Sequence, residues 1–528
     1  MQKYLLNILF VLFAGACTQN IAQTINLVKD INVTEVRNSN PLKLAVYRDT
    51  LYFTSQPENK GSRFYKTDGT AAGTKLIGPS IGTDNVRDFF FYKNAFYFLW
   101  NDGIHGQELW VSDGTTIGTH LFLDILPGAG SSEIAYLTIC NNKLFFRATD
   151  DVDFNRLFVS DGTVAGTKKL NAYAGVFNGM NEFIVFQNKV YFPGGNATVP
   201  KGLFVSDGSD AGTGLVKEGI FGTLGGNYAI LNDRMYFSAA DDVHGSELWQ
   251  SDGTPANTQL FFNIATADNP GSQSNGGPHN FFMHDGNIYF AASDGVNGNE
   301  LWVTNGIPAG THLVADLIPG DGGVSPEHFI LYKNEVYFFG TVGGVKTFYK
   351  TDGTLAGTKL VKAFPGLSDF YSIYIYKSLM YMALGGGLSS NVWLSDGTGS
   401  GTVKINPVIN TLQTQEMNFV NYKDELYLPA YTSSTGMELF KFSDVTNGLE
   451  EINVRQALIL YPNPGSGSFN LLGKKSASNI QAYDVLGNNI GIEYVEGTYH
   501  LKTSIKGIYL LHLTTESNQT ELGRLEIK

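Results

Sequence analysis

The chain has 528 residues, 43% of them hydrophobic and 16% charged, with a formal net charge of -13. That length exceeds one ordinary core, so several domains or one large repetitive architecture is expected. The apolar fraction, with 61 Gly, 27 Tyr and 36 Phe, excludes a mainly disordered chain, and the acidic charge, scattered without a basic stripe, excludes nucleic acid as a partner.

Residues 1–23 place Lys3 before an apolar run over 5–16 and then small and polar residues, the layout of a secretory signal peptide. The run is shorter than the roughly 18 to 20 residues of a spanning helix, and no later segment reaches that length, so no transmembrane span is expected. The stretch "AGAC" ending at Cys17 allows lipidation, although Ala14 stands where such boxes favour Leu, and "NIAQ" offers a competing cut near Ala22. If Cys17 leaves with the signal, Cys140 is alone in the mature chain and is read as a small buried hydrophobe.

From residue 24 onward one turn recurs. It reads "DGTAAGT" from Asp68, "DGTTIGT" from Asp113, "DGTVAGT" from Asp161, "DGSDAGT" from Asp207, "DGTPANT" from Asp252, "NGIPAGT" from Asn305, "DGTLAGT" from Asp352 and "DGTGSGT" from Asp396, at intervals of 44 to 53 residues. An aromatic strand such as "ELWVS" precedes each turn and a short apolar strand such as "THLFLDI" follows, which makes a hairpin. A second hairpin lies upstream, as in "FFYKNAFYFLW" and "FILYKNEVYFFGT", so each repeat is four strands. Four strands every 45 or so residues is the spacing of propeller blades, and no sustained period near 3.6 residues supports helical repeats.

The ends of the array complement each other. Residues 27–31, "LVKDI", match the fourth strand "LFLDI" at 121–125 but lack a hairpin before them, while "FVNYKDELYLPAY" and "MELFKFSD" supply three strands of a ninth unit ending at Asp444. The N-terminal strand is therefore expected to complete the ninth blade and close the ring. An eight-bladed ring with a spare unit, or two rings, is the alternative count.

In Asp113-Gly114-Thr115 the glycine can take positive φ while the Asp and Thr side chains bond their own turn, so these aspartates are read as structural rather than as ligands or catalysts; Asn305 replaces one of them. The polar loops joining second to third strands, from 101, 150, 241 and 293, are the best places to look for a site. Asp151, Asp153 and Asn155 begin like a calcium loop, but Arg156 stands where glycine is needed and no Glu closes the set. His105 with Glu108, and His244 with Glu247, suggest metal ligands, yet the matching loop carries Asn297 with Glu300, which favours repeated loop chemistry. Trp100 and Tyr173 offer faces for sugars and are read as blade packing. No nucleophile elbow, phosphate loop or Cys/His cluster is present, so no catalytic, cofactor-binding or metal residue is assigned and no cofactor is expected; carboxylates from separated blades meeting over the channel stay open.

After a linker at 445–457, residues 458–528 alternate short strands with Gly, Asn or Lys, which suits a small antiparallel β-sandwich. With these motifs on the page, residues 24–444 resemble the ELWxxDGT repeat proteins, with "ELW" at 108, 247 and 300 and the DGT turn in most units. That family name supplies no activity. A looser similarity to the Asp-box hairpins of sialidase-type propellers implies a fold device, not sugar cleavage. The last segment resembles the type A C-terminal sorting domain of type IX secretion, through Tyr461-Pro462-Asn463-Pro464, the turn from Asp484 to Gly487, Gly507-Ile508-Tyr509 and the basic end Lys528. The resemblance implies export by the signal peptide, passage through the type IX machinery as partner, and then release or attachment at the cell surface.

The expectation is an all-β chain: a β-propeller followed by a small antiparallel β-sandwich. It is expected to act as a secreted or surface-displayed binding or adhesion module for a glycan or protein ligand. The alternatives are an extracellular polysaccharide-active hydrolase or lyase, and a structural envelope component.

Overall fold

A computed structural model describes residues 23–33, 38–56, 61–78, 86–171, 183–195, 201–221, 228–265, 276–386, 389–405, 418–432, 434–444, 460–461, 468–471, 479–483, 489–495, 498–502, 507–514 and 520–527. Residues 1–22 of the expected signal segment with Cys17, Tyr173, the expected linker at 445–457, Pro462–Pro464, the turn from Asp484 to Gly487 and Lys528 lie outside these residues.

Nine four-stranded antiparallel sheets form the blades of a β-propeller ring, and the helical content of the described residues is one 3-10 turn at Pro308–Gly310. The first eight blades span 42–77, 87–123, 135–169, 184–218, 228–262, 279–315, 327–364 and 369–404, with strands in sequence order. The ninth takes three strands from 420–444, and its fourth is the N-terminal strand Gln23–Lys29, paired to Gly436–Asp444. The ring closes as the complementary ends of the repeat predict.

Within a blade the first and second strands meet at two-residue turns in which both residues have positive φ, as at Arg48-Asp49, Lys93-Asn94, Lys333-Asn334 and Lys423-Asp424. This is the type I′ geometry, whose twist matches that of the flanking strands. The second strand is buried on both faces, because each sheet packs against a neighbour on either side: Leu51, Tyr52 and Phe53 in the first blade and Val336, Tyr337 and Phe338 in the seventh are all buried. Its aromatic residues therefore serve two blade interfaces at once. First strands are half-buried and adjoin one another between blades, so they form the inner wall of the ring.

A seam core of Val28, Leu44, Leu51, Phe53, Tyr65, Tyr422, Tyr427 and Leu439 joins the ninth blade to the first. The amide of Ser39 donates to the Met437 carbonyl at 2.9 Å, that of Met437 to Asn38 Oδ1 at 2.9 Å, and the Tyr422 hydroxyl to the Asp49 carbonyl at 2.8 Å.

The C-terminal segment is a separate compact unit of two four-stranded antiparallel sheets. Ala482, Tyr499 and Leu501 are buried in it, and Gly507-Ile508-Tyr509 opens its strand Gly507–Thr514.

Candidate functional site

The repeated aspartates make bonds within their own turns. Asp113 Oδ1 accepts from the amide of Thr115 at 2.8 Å and from its hydroxyl at 2.7 Å, and Thr115 Oγ1 in turn accepts from the Gly118 amide at 3.0 Å. The same pattern recurs at Asp68, Asp161, Asp207, Asp352 and Asp396, and the hydrogen bonds to Thr or Ser lower the pKa of Asp68, Asp113, Asp161, Asp207 and Asp352. At Asn305 the Oδ1 still accepts from the Ile307 amide at 3.1 Å.

The loops between second and third strands of the second, fifth and sixth blades are turns held by an aspartate in a related way. Asp102 Oδ1 accepts from the amides of Ile104 and His105, while Oδ2 meets His105 Nδ1 at 2.8 Å; Asp241 does this for Val243 and His244, and Asp294 for Val296 and Asn297. The pairing raises the pKa of His105, chiefly through the hydrogen bond to Asp102. At the calcium-like stretch 151–155 the positive charge comes from the chain: Lys169 Nζ lies 2.7 Å from both Asp150 Oδ2 and Asp153 Oδ2, and Arg156 Nη2 is 3.3 Å from Asp153.

His105 bonds Asp102, whereas its sequence neighbour Glu108 serves a different contact. Glu108 is fully buried, and its carboxylate accepts from the amides of Ile125 at 3.1 Å and Ser132 at 3.1 Å and from the Ser132 hydroxyl at 2.6 Å. It clasps the linker that leads to the next blade. Glu247 holds Ile264, Ala265 and Gly276 in the same way, and Glu300 holds Ile318. Burial raises the pKa of all three, to about 7 for Glu108 and Glu300. Trp100 is also buried, edge-on to Trp110 at 4.8 Å, in the wall of a cavity with room for about one water. Among the described residues no three His, Cys, Asp or Glu side chains gather as metal ligands.

What varies from blade to blade is the start of the first strand. Among the described residues, four blades have a pair of positive-φ residues three apart there: Asn40 and Lys43, Glu133 and Tyr136, Gly277 and Asn280, Ser325 and His328. A register shift accompanies each pair, so the strand bulges where it enters the inner wall. A bulge re-aims a side chain, and left-handed backbone at non-glycine residues is strained by about 1 to 3 kcal/mol. The four bulged residues are Lys, Tyr, Asn and His, on otherwise repeating blades.

Their surroundings are polar and aromatic. The Arg147 guanidinium sits 5.2 Å over the Tyr136 ring, Asn280 Nδ2 donates to the Pro326 carbonyl of the next blade at 3.0 Å, and His328 stacks on Phe370 at 3.9 Å. Glu327 pairs with the Lys346 ammonium and lies 3.6 Å from His328 Nε2. Desolvation lowers the His328 pKa. These residues escaped the sequence reading, because a positive φ leaves no mark in residue type.

Comparison with known proteins separates the two units. Residues 459–527 match the family described as secretion system C-terminal sorting domain. This supports a sorting tail of the type IX kind, and with it export to the cell surface or beyond. No curated protein matches the chain. Among solved structures, prolyl oligopeptidase B from Galerina marginata is 11% identical with a TM-score of 0.39, over 66% of this chain and 56% of its own; a puromycin hydrolase is 10% identical with a TM-score of 0.36, over 76% and 60%. The chain thus spans less than two thirds of either. Among the described residues no helix is long and apolar enough to cross a membrane.

Proposed function

We propose that the chain is a secreted or surface-displayed binding module, a nine-bladed scaffold that presents a polar and aromatic rim at one mouth of its channel and leaves the cell by its C-terminal sorting domain. The observation that carries this reading is the bulge at the start of the first strand, which sets a different side chain, Lys43, Tyr136, Asn280 or His328, at an equivalent place on each of four blades. Repetition makes the frame; variation at one position makes a surface that distinguishes ligands. Hydrogen-bonding groups beside flat rings suit a glycan or an extended peptide.

The test is binding of the purified full chain to glycan and peptide arrays, repeated with Tyr136→Ala and His328→Ala. The expected result is one retained ligand class whose affinity falls about tenfold or more in at least one variant, the scale of losing a stacking face and a hydrogen bond. Ligands bound equally by wild type and both variants would place recognition elsewhere.

A polysaccharide-active enzyme is the second reading, favoured by the Lys346, Glu327 and His328 group beside Phe370. Release of reducing or unsaturated ends from a bound glycan, lost in Glu327→Gln, would establish it.

A further inference from the structure

Four blades carry a buried glutamate at the same place on the third strand: Glu108, Glu247, Glu300 and Glu438. The registers Leu109↔Leu123, Leu248↔Phe262 and Leu301↔Ala315, continued by one position, put the residue just after the fourth strand across from each glutamate: Asp124, Asn263 and Asp316. In the ninth blade the counterpart is Asp30, the residue after the N-terminal strand Gln23–Lys29. Like charges directly opposite each other on a sheet repel. Yet three of the four pairs are two acids.

In each pair at least one side-chain oxygen lacks a donor. Asp30 Oδ1, Asp124 Oδ1, Asn263 Oδ1 and Asp316 Oδ1 are buried without a hydrogen-bond partner, as are Glu300 Oε2 and Glu438 Oε1. An unpartnered buried acceptor costs about 1 to 3 kcal/mol. A metal cation is a poor remedy, since the backbone amides of the clasp already point their positive ends at the glutamates. A proton is the donor that two carboxyls can supply between themselves, as in any pair of acids that cannot both ionise. The fifth blade shows the neutral solution: an Asn263 side chain turned about its amide can donate to Glu247 without a proton.

We infer that the Glu438 and Asp30 pair is a proton-held latch on the ring. One shared proton fastens the N-terminal strand to the ninth blade, and its loss leaves two like charges facing each other across the seam. The other pairs lie within continuous stretches of chain, whereas this one joins the two ends of the propeller. Its glutamate reaches the Ser39 hydroxyl at 2.5 Å and the Ile31 amide at 3.3 Å, so the same carboxyl holds the segment that leads from the N-terminal strand into the first blade. The groups facing Glu438 are Asp30, that hydroxyl, and the amides of Ile31 and Asn32. Facing Glu300 are Asp316 and, from the next blade, Tyr349.

The direction of the pH dependence follows. Burial, with a contribution from Asp30, raises the pKa of Glu438 from 4.5 to about 7. A carboxyl whose pKa is raised by folding contributes stability that is complete below its unfolded value and is lost as the pH climbs through the folded one. The latch is therefore firm in mildly acid solution and slack above neutrality.

The test is hydrogen exchange at the Ile31 and Ser39 amides of the full chain between pH 5 and 9, corrected for intrinsic exchange, in wild type, Asp30→Asn, Glu438→Gln and Asp316→Asn. In wild type, protection at both amides is expected to fall on the order of tenfold or more from pH 6 to 8. Asp30→Asn, which supplies an amide donor, is expected to keep the protection at pH 8, and Asp316→Asn to leave the fall at these two amides unchanged. Should Glu438→Gln not fold, Asp30→Asn still decides. Flat protection in wild type, or the same fall in Asp30→Asn, would overturn the latch.

Discussion

Gly397 stands at φ +91°, and a Cβ placed on it would lie 2.5 Å from the hydroxyl of Tyr337, which donates to the Gly397 carbonyl at 3.3 Å. Glycine is needed here twice: for the left-handed backbone of the DGT turn and for the tyrosine that the preceding blade lays against it. A Cβ on Gly253 would likewise run into the Tyr191 hydroxyl, one on Gly114 into that of Tyr52, and one on Gly69 into that of Tyr427 across the seam. The turn motif is thus half of a contact between blades, and the tyrosine of the second strand is the other half. Gly397→Ala is expected to destabilise the ring by about 2 kcal/mol or more, combining left-handed strain with the clash. Tyr337→Phe alone should cost about 1 kcal/mol for the lost hydrogen bond. Because the hydroxyl is the nearest obstacle to the new methyl, the double variant is expected to lose less than the sum of the two. Urea unfolding of the four proteins checks this, and strict additivity would mean that the methyl and the hydroxyl do not meet.

The strand 23–29 alternates between an exposed Leu27, 37% accessible, and a Val28 at 4% that enters the seam core. Val28→Asp is expected to cost about 3 kcal/mol or more by placing an unpaired charge in that core, while Leu27→Asp should stay within about 1 kcal/mol of wild type. Equal effects on the thermal midpoint would mean that the strand is not fixed in its register. This closure was legible in the sequence, since "LVKDI" repeats a fourth strand that lacks its own hairpin. Blade number, turn chemistry and strand order were legible for the same reason: each rests on local letters that recur. The clasp was only half visible. Glu108 recurs as a letter at 247 and 300, but the amides it holds lie 17 to 24 residues onward, in linkers whose sequences differ. The bulged residues left no trace at all, because Lys43, Tyr136, Asn280 and His328 share a backbone angle and not a residue type.

At the scale of the whole molecule, the chain divides into a ring of 25–442 and a second unit that holds 443–528. Each blade of the ring buries apolar surface against two others, so an open stack would expose two terminal blades where a closed ring exposes none. The ninth blade closes it only by borrowing residues from the opposite end of the chain, which makes the stability of the ring depend on the N-terminal strand and the segment after it. A fragment of 24–444 is therefore expected to unfold in one sharp transition. A fragment of 42–444 lacks the fourth strand of the ninth blade, Val28 of the seam core and the Ser39 partner of Glu438. It is expected to unfold at lower urea and over a broader range, as blades next to the gap open before the rest. If both fragments unfolded alike, the seam would add nothing to the ring, and the nine blades would hold together by their neighbours alone.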